Sequence, residues 1–196
     1  MRIAARPYTR STPMAALARQ VIKFTSPNLY ELRQLAQALH YPGPIATTML
    51  EEYATVDDLL ADLKPLGAYV NTTIDHVLVT LGQYGVAVFR RCPETVPFFD
   101  AVGKYIPTEV ASRPSQARFY PGRKQPEIVN VSGAGDSFTS GFIVAAIAGR
   151  SEAGCVAVAF EAAGCALKAR GAVAERYFDK THPCWTDDAG ASYRSF

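Results

Sequence analysis

"NVSGAGDSF", residues 130–138, sets three small residues, Gly133, Ala134 and Gly135, ahead of one carboxylate, Asp136, and then turns apolar. Upstream, EIVNV (127–131) reads as a strand, and downstream residues 135–149 read as a helix. A strand that turns through small residues into a helix leaves free backbone N–H groups at the positive end of the helix dipole. The pattern therefore predicts an anion site at the carboxyl edge of a sheet. Two common phosphate motifs do not fit. The only Gly-Lys pair, Gly103-Lys104, is followed by Tyr105, and Phe138 holds the place of the third glycine in a dinucleotide fingerprint. What remains is Asp136. A carboxylate here would repel a phosphate resting passively against the amides. It suits a base that takes the proton from a hydroxyl attacking a phosphoryl group, while the amides stabilise the developing charge. The competing reading is that Asp136 only complements the helix dipole, worth about 0.3–1 kcal/mol, and the turn by itself leaves both open.

Working outward, strands and helices alternate. VIKFT (21–25) reads as a short buried strand, and SPN separates it from the helical pattern LYELRQLAQAL (29–39). TVDDLLADLKPLG predicts a second helix, with Thr55 as its N-cap, Asp58 in the capping-box position and Gly67 beyond its end. HVLVTLG (76–82) and VAVFRR (86–91) flank QYG and suggest a hairpin-like return. Residues 100–126 read as irregular, and a small-residue helix is expected from about Ser151 to Arg170. The ending THPCWTDDAGASYRSF reads as a loosely held polar tail. Alternation on this scale predicts a three-layer α/β fold with a mostly parallel sheet. The expected organisation is an N-terminal segment (1–20), one catalytic unit (21–175) and the tail (176–196).

Composition narrows the partners. The chain has 196 residues, 48% hydrophobic and 19% charged, with a net charge of +2, as in ordinary globular proteins and too weakly basic for nucleic acid to be expected. The basic cluster Arg113, Arg118, Arg123 and Lys124 is read as part of a solvated loop. Cys92, Cys155, Cys165 and Cys184 form no CxxC pair and have no histidines at metal spacing, so reduced thiols and a cytoplasmic setting are expected. The longest apolar run, FIVAAIA (142–148), is too short to span a bilayer. Residues 1–30 hold Arg2, Arg6, Arg10, Arg19 and Lys23 with no acid, the composition of a mitochondrial transit peptide, although Pro7 and Pro13 interrupt a long amphipathic helix there.

NVSGAGDSFTSGFI (130–143) resembles the C-terminal signature of the PfkB, or ribokinase-like, carbohydrate and nucleoside kinases. Two further stretches follow the family's order: SPNLYEL resembles the segment with its N-x-x-E motif, at Asn28 and Glu31, and VTLGQYGVAVF resembles its ATP-loop strand and turn, at Thr80, Gly82 and Gly85. The resemblance, over about residues 21–173, implies a ribokinase-like (Rossmann-like) fold and transfer of a phosphoryl group from ATP to a sugar or nucleoside hydroxyl. It implies Asp136 as catalytic base, an anion hole at Gly133, Ala134 and Gly135, and ATP contacts at Thr80 and Gly82, with Gly85 in the same turn. Asn28 and Glu31, one helical turn apart, offer oxygen ligands for hydrated Mg²⁺, and Asn28 also suits a helix N-cap. Ala162, Ala163 and Gly171 resemble the adenine-side wall, a place equally suited to close helix packing, and Gly141 and Ala145 are read as packing alone.

Two departures stand out. Some relatives bind a monovalent cation near an acidic residue six positions before the base, and this chain has Asn130 there. The family's first half, with its sugar-binding strands and lid, has no counterpart ahead of VIKFTSPN, so the chain is expected to be a partial one, truncated at the N-terminal side, whose open face calls for a partner or a homodimer. SPNLYEL is closest in wording to the eukaryotic pseudouridine kinases, which makes pseudouridine the leading acceptor. A noncatalytic nucleotide-binding remnant is the alternative.

Overall fold

The computed structural model describes residues 21–107, 114–125, 127–186 and 190–196. At its centre HVLVT and GVAVFR form β2 (His76–Thr80) and β3 (Gly85–Arg90), an antiparallel pair with His76 opposite Arg90 and Thr80 opposite Val86. Alternation sends Val77, Val79, Ala87 and Phe89 to one face and Leu78, Val86 and Val88 to the other, and all seven are buried. Burial on both sides is why these strands read as continuous apolar runs rather than as alternating ones.

Among the described residues the sheet has five strands in the order β1 (Phe24–Thr25), β2, β3, β4 (Gln116–Pro121) and β5 (Arg194–Ser195). β1 pairs with β2 in parallel, and the other three pairings are antiparallel. The sheet is thus mixed, not mostly parallel as expected. Helices intervene between β1 and β2 and make that pair parallel, whereas β2 to β3 is a tight turn, which can join only antiparallel strands.

The three-layer expectation holds. α1 (Leu29–Ala38) and α2 (Val56–Val70) pack on the Val77/Phe89 face through Leu32, Ala36, Leu59, Leu63 and Leu66. α3 (Ala134–Ile147) and α4 (Glu152–Leu167) cover the opposite face through Phe138, Phe142, Val156 and Ala159. α3 and α4 pack closely: a Cβ on Gly141 would lie 2.8 Å from that of Ala162, so Gly141 serves packing, as read. Thr55 caps α2 by accepting the Asp58 N–H at 3.1 Å, but the helix runs through Pro65 and past Gly67 to Val70. Gly67 is not a terminator. A Cβ there would come within 2.3 Å of the Phe89 ring, so the glycine lets helix and sheet touch.

Three other expectations fail for tertiary reasons. EIVNV forms no strand; Val129 and Asn130 give their N–H groups to the Leu167 carbonyl at 2.8 and 3.2 Å, and Ile128, Val129 and Val131 stay exposed. The stretch read as an irregular, basic loop contains β4, in which Arg118 is buried and bonded twice to Glu152, at 2.7 and 2.8 Å. The C-terminal tail is docked: β5 pairs with β4, Phe196 meets the Phe89 ring edge-on, and Cys184 is buried.

The four cysteines are free. Among the described residues no helix is long and apolar enough to cross a membrane. The N-terminal segment and its transit-peptide-like composition lie outside the described residues, as does Arg113.

Candidate functional site

The site lies at the carboxyl ends of the parallel pair β1 and β2, where open α/β sheets place their ligands. Chain leaving β1 passes Ser26 and Pro27 to Asn28, which bridges to Thr80 at the end of β2; the Thr80 N–H donates to the Pro27 carbonyl at 2.9 Å. That bridge brings together two motifs about fifty residues apart in the chain. Asn28 caps α1 through a reciprocal box: its Oδ1 accepts the Glu31 N–H at 2.9 Å, and Glu31 Oε2 accepts the Asn28 N–H at 2.8 Å.

The glycine turn faces this corner. Gly133 is the N-cap of α3 with φ of 77°, and a Cβ on it would sit 1.8 Å from the Ala172 carbonyl oxygen. Only glycine combines that backbone angle with so close an approach. The first helical hydrogen bond runs from the Ser137 N–H to the Gly133 carbonyl at 2.9 Å. The N–H groups of Gly135 and Asp136 precede it, and the Ala134 N–H lies 3.5 Å from the Val131 carbonyl.

Ser26, Asn28, Glu31, Thr80, Gly133, Gly135, Asp136 and Thr139 line one cleft of about 190 Å³. It unites six of the residues singled out in the sequence, and its lining is mostly polar. Ser26 and Thr139 went unnoticed. Ser26 belongs to a loop between strand and cap, and Thr139 lies three residues beyond Asp136, hence on the same helical face, a spacing that could have revealed it. The other residues singled out lie off this wall. Gly82 and Gly85 bound the β2–β3 turn, with the Gly85 backbone against the Tyr120 carbonyl. Ala163 packs half-buried against the core on α4, and exposed Gly171 precedes Ala172, whose carbonyl meets Gly133.

The donors fit a hydrated divalent cation. They are an amide and a carboxylate, all oxygen, and among the described residues no group of three or more His, Cys, Asp or Glu forms a protein cage. Magnesium suits such a site, because it retains water and shares its ligands with phosphate oxygens.

The family model for the pfkB family carbohydrate kinases matches residues 6–176. No curated protein sequence matches the chain. Among solved structures, the nucleoside kinase of Methanocaldococcus jannaschii, an archaeal member of the ribokinase family, is 16% identical with a TM-score of 0.53, over 84% of this chain and 39% of that one. The adenosine kinase of Sinorhizobium meliloti is 19% identical with a TM-score of 0.53, over 86% and 38%. The ribokinase of Cryptococcus neoformans, solved with ADP, is 19% identical with a TM-score of 0.53, over 83% and 45%. The chain therefore spans less than half the length of these structures, with which it shares the fold. Family match, fold and glycine turn agree, and the chain belongs to the pfkB family of carbohydrate kinases.

Proposed function

We propose that the chain carries the phosphate-binding and catalytic part of an ATP-dependent kinase acting on a hydroxyl of a sugar or nucleoside. The observation that carries this reading is the single cleft shared by Asp136, the N-terminal amides of α3, Thr80 and the Asn28–Glu31 pair. Asp136 accepts the proton of the attacking hydroxyl. The N–H groups of Gly135 and Asp136, at the positive end of α3, stabilise the charge that builds on the transferred group. Asn28 and Glu31 would hold Mg²⁺, which would supply positive charge to the phosphates. Thr80 offers a hydroxyl on the same wall. Thr80 and Gly82 approach the ATP phosphates, and Ala163 and Gly171 stand on the adenine side. The structural likeness to a ribokinase solved with ADP supports the choice of nucleotide. Pseudouridine leads the acceptors on the wording of SPNLYEL, ahead of ribose, adenosine and fructose phosphate.

The test is ADP release by the purified chain with MgATP, alone and with each acceptor, beside Asp136→Asn. The expected outcome is release that depends on one acceptor. It falls by about 10²–10⁴-fold in Asp136→Asn, as for loss of a general base, while ATP affinity is kept. Retained turnover in the variant removes Asp136 from the base role. ATP binding without acceptor-dependent release marks a noncatalytic nucleotide-binding protein.

A further inference from the structure

The turn that bears Asp136 is fastened from both sides by the loop that follows α4. On the upstream side, the Leu167 carbonyl, at the end of α4, accepts the Val129 and Asn130 N–H groups. The Asn130 side chain then uses both of its ends. Oδ1 accepts the Ser132 N–H at 3.0 Å within the turn, and Nδ2 donates to the Arg170 carbonyl at 3.1 Å across to the loop. In the middle, the Ala172 carbonyl lies against the Gly133 Cα, leaving no room for a side chain. On the downstream side, the Tyr177 hydroxyl sits 2.9 Å from Ser137 Oγ, one residue after Asp136, and accepts the Ala174 N–H at 3.4 Å.

We infer that Asn130 and Tyr177 are positioning residues, and that residues 170–177 form a strap fixing where the amides of Gly135 and Asp136 point. The inference rests on the reading of the cleft as a phosphoryl-transfer site. Neither side chain lines the cleft, so each acts through the turn. The physical reason is geometric. Amides stabilise developing charge only when preorganised, and the left-handed glycine N-cap has no side-chain cap bond, so within α3 the backbone bond from the Ser137 N–H to the Gly133 carbonyl is its one restraint. The strap supplies that constraint from a separate element. The Asn130 contact is at the surface, and the Tyr177 hydroxyl reaches buried Ser137 from a half-exposed ring, so each is a single hydrogen bond that adds little to global stability while controlling local order.

The experiment compares the full chain with Asn130→Asp and Tyr177→Phe. Asn130→Asp keeps the oxygen for Ser132 but removes the N–H donor and sets an acceptor against the Arg170 carbonyl. Tyr177→Phe keeps the ring and loses the hydroxyl. MgATP affinity is measured by calorimetry, hydrogen exchange at the hydrogen-bonded Ser132, Ala134 and Ser137 amides of the turn by NMR, and melting temperature by scanning calorimetry. Each variant is expected to bind MgATP about tenfold more weakly, in line with the sensitivity of such sites to small displacements. Amide exchange is expected to be faster, with an unchanged melting temperature. Wild-type exchange in both variants overturns the strap, as does unchanged affinity, and so does a fall in melting temperature with affinity kept. If the wild-type chain itself fails to bind MgATP while exchange still rises in the variants, the kinase reading falls and the strap stands.

Discussion

Asp136 and Glu152 each lie in the first turn of a helix, and the dipole argument treats them alike. Their surroundings do not. Asp136 is exposed and faces the cleft, whereas Glu152 is fully buried. Glu152 takes both oxygens to Arg118, accepts the Tyr120 hydroxyl at 2.8 Å, and has Arg90 at 3.6 Å. Burial first, then the Glu152 carboxylate, pushes the Tyr120 hydroxyl well above the ordinary tyrosine range, so it stays protonated and donates. Arg90 and Arg118 are both buried, and Glu152 compensates both. Glu152→Ala would strand two guanidinium groups in the interior, at a cost of about 3–5 kcal/mol. Denaturant unfolding should show a loss of that size, and a loss below about 1 kcal/mol would mean that water reaches the arginines.

At the scale of elements, α3 is apolar around most of its circumference, so its pattern does not say which side is core. The structure buries Phe138, Phe142, Ala145 and Ala146 against α4 and the sheet, and leaves Ile143, Val144 and Ile147 exposed. Phe142→Ala is therefore expected to destabilise by about 3–5 kcal/mol. Ile147→Ala, at 57% exposure, should lie within about 0.5 kcal/mol of wild type. Equal losses in thermal unfolding would contradict this assignment of faces. Helix starts were the most legible elements, because caps are local: Asn28, Thr55 and Ser151 each accept a backbone N–H at the expected place. Helix ends and edge strands were not. Gly67 carries a contact with Phe89 rather than a stop, and β4 carries an arginine whose carboxylate partner comes 34 residues later.

For the molecule as a whole, the two ends of the described chain meet in one sheet: β1 lies at one edge and β5 at the other. The last residues close the β4 edge. Arg194 and Ser195 pair with Phe119 and Arg118, the Ala191 N–H donates to the Ala153 carbonyl at 3.0 Å, and Phe196 packs on Phe89. Deleting residues 190–196 should lower the melting temperature by roughly 5–10 °C, given a few kcal/mol lost from a chain of this size. An unchanged calorimetric transition would show that the segment adds nothing to stability. The sequence by itself determined what is local: the central hairpin, the caps, and a glycine turn that puts free amides beside Asp136, because adjacent residues decide turn geometry and helix initiation. Tertiary structure alone decided the mixed sheet, the buried Arg118–Glu152 pair, the docked tail and the joining of Asn28, Thr80 and Asp136 in one cleft. Each depends on which distant segments touch, and a residue's burial and partners are set by neighbours that sequence spacing does not name.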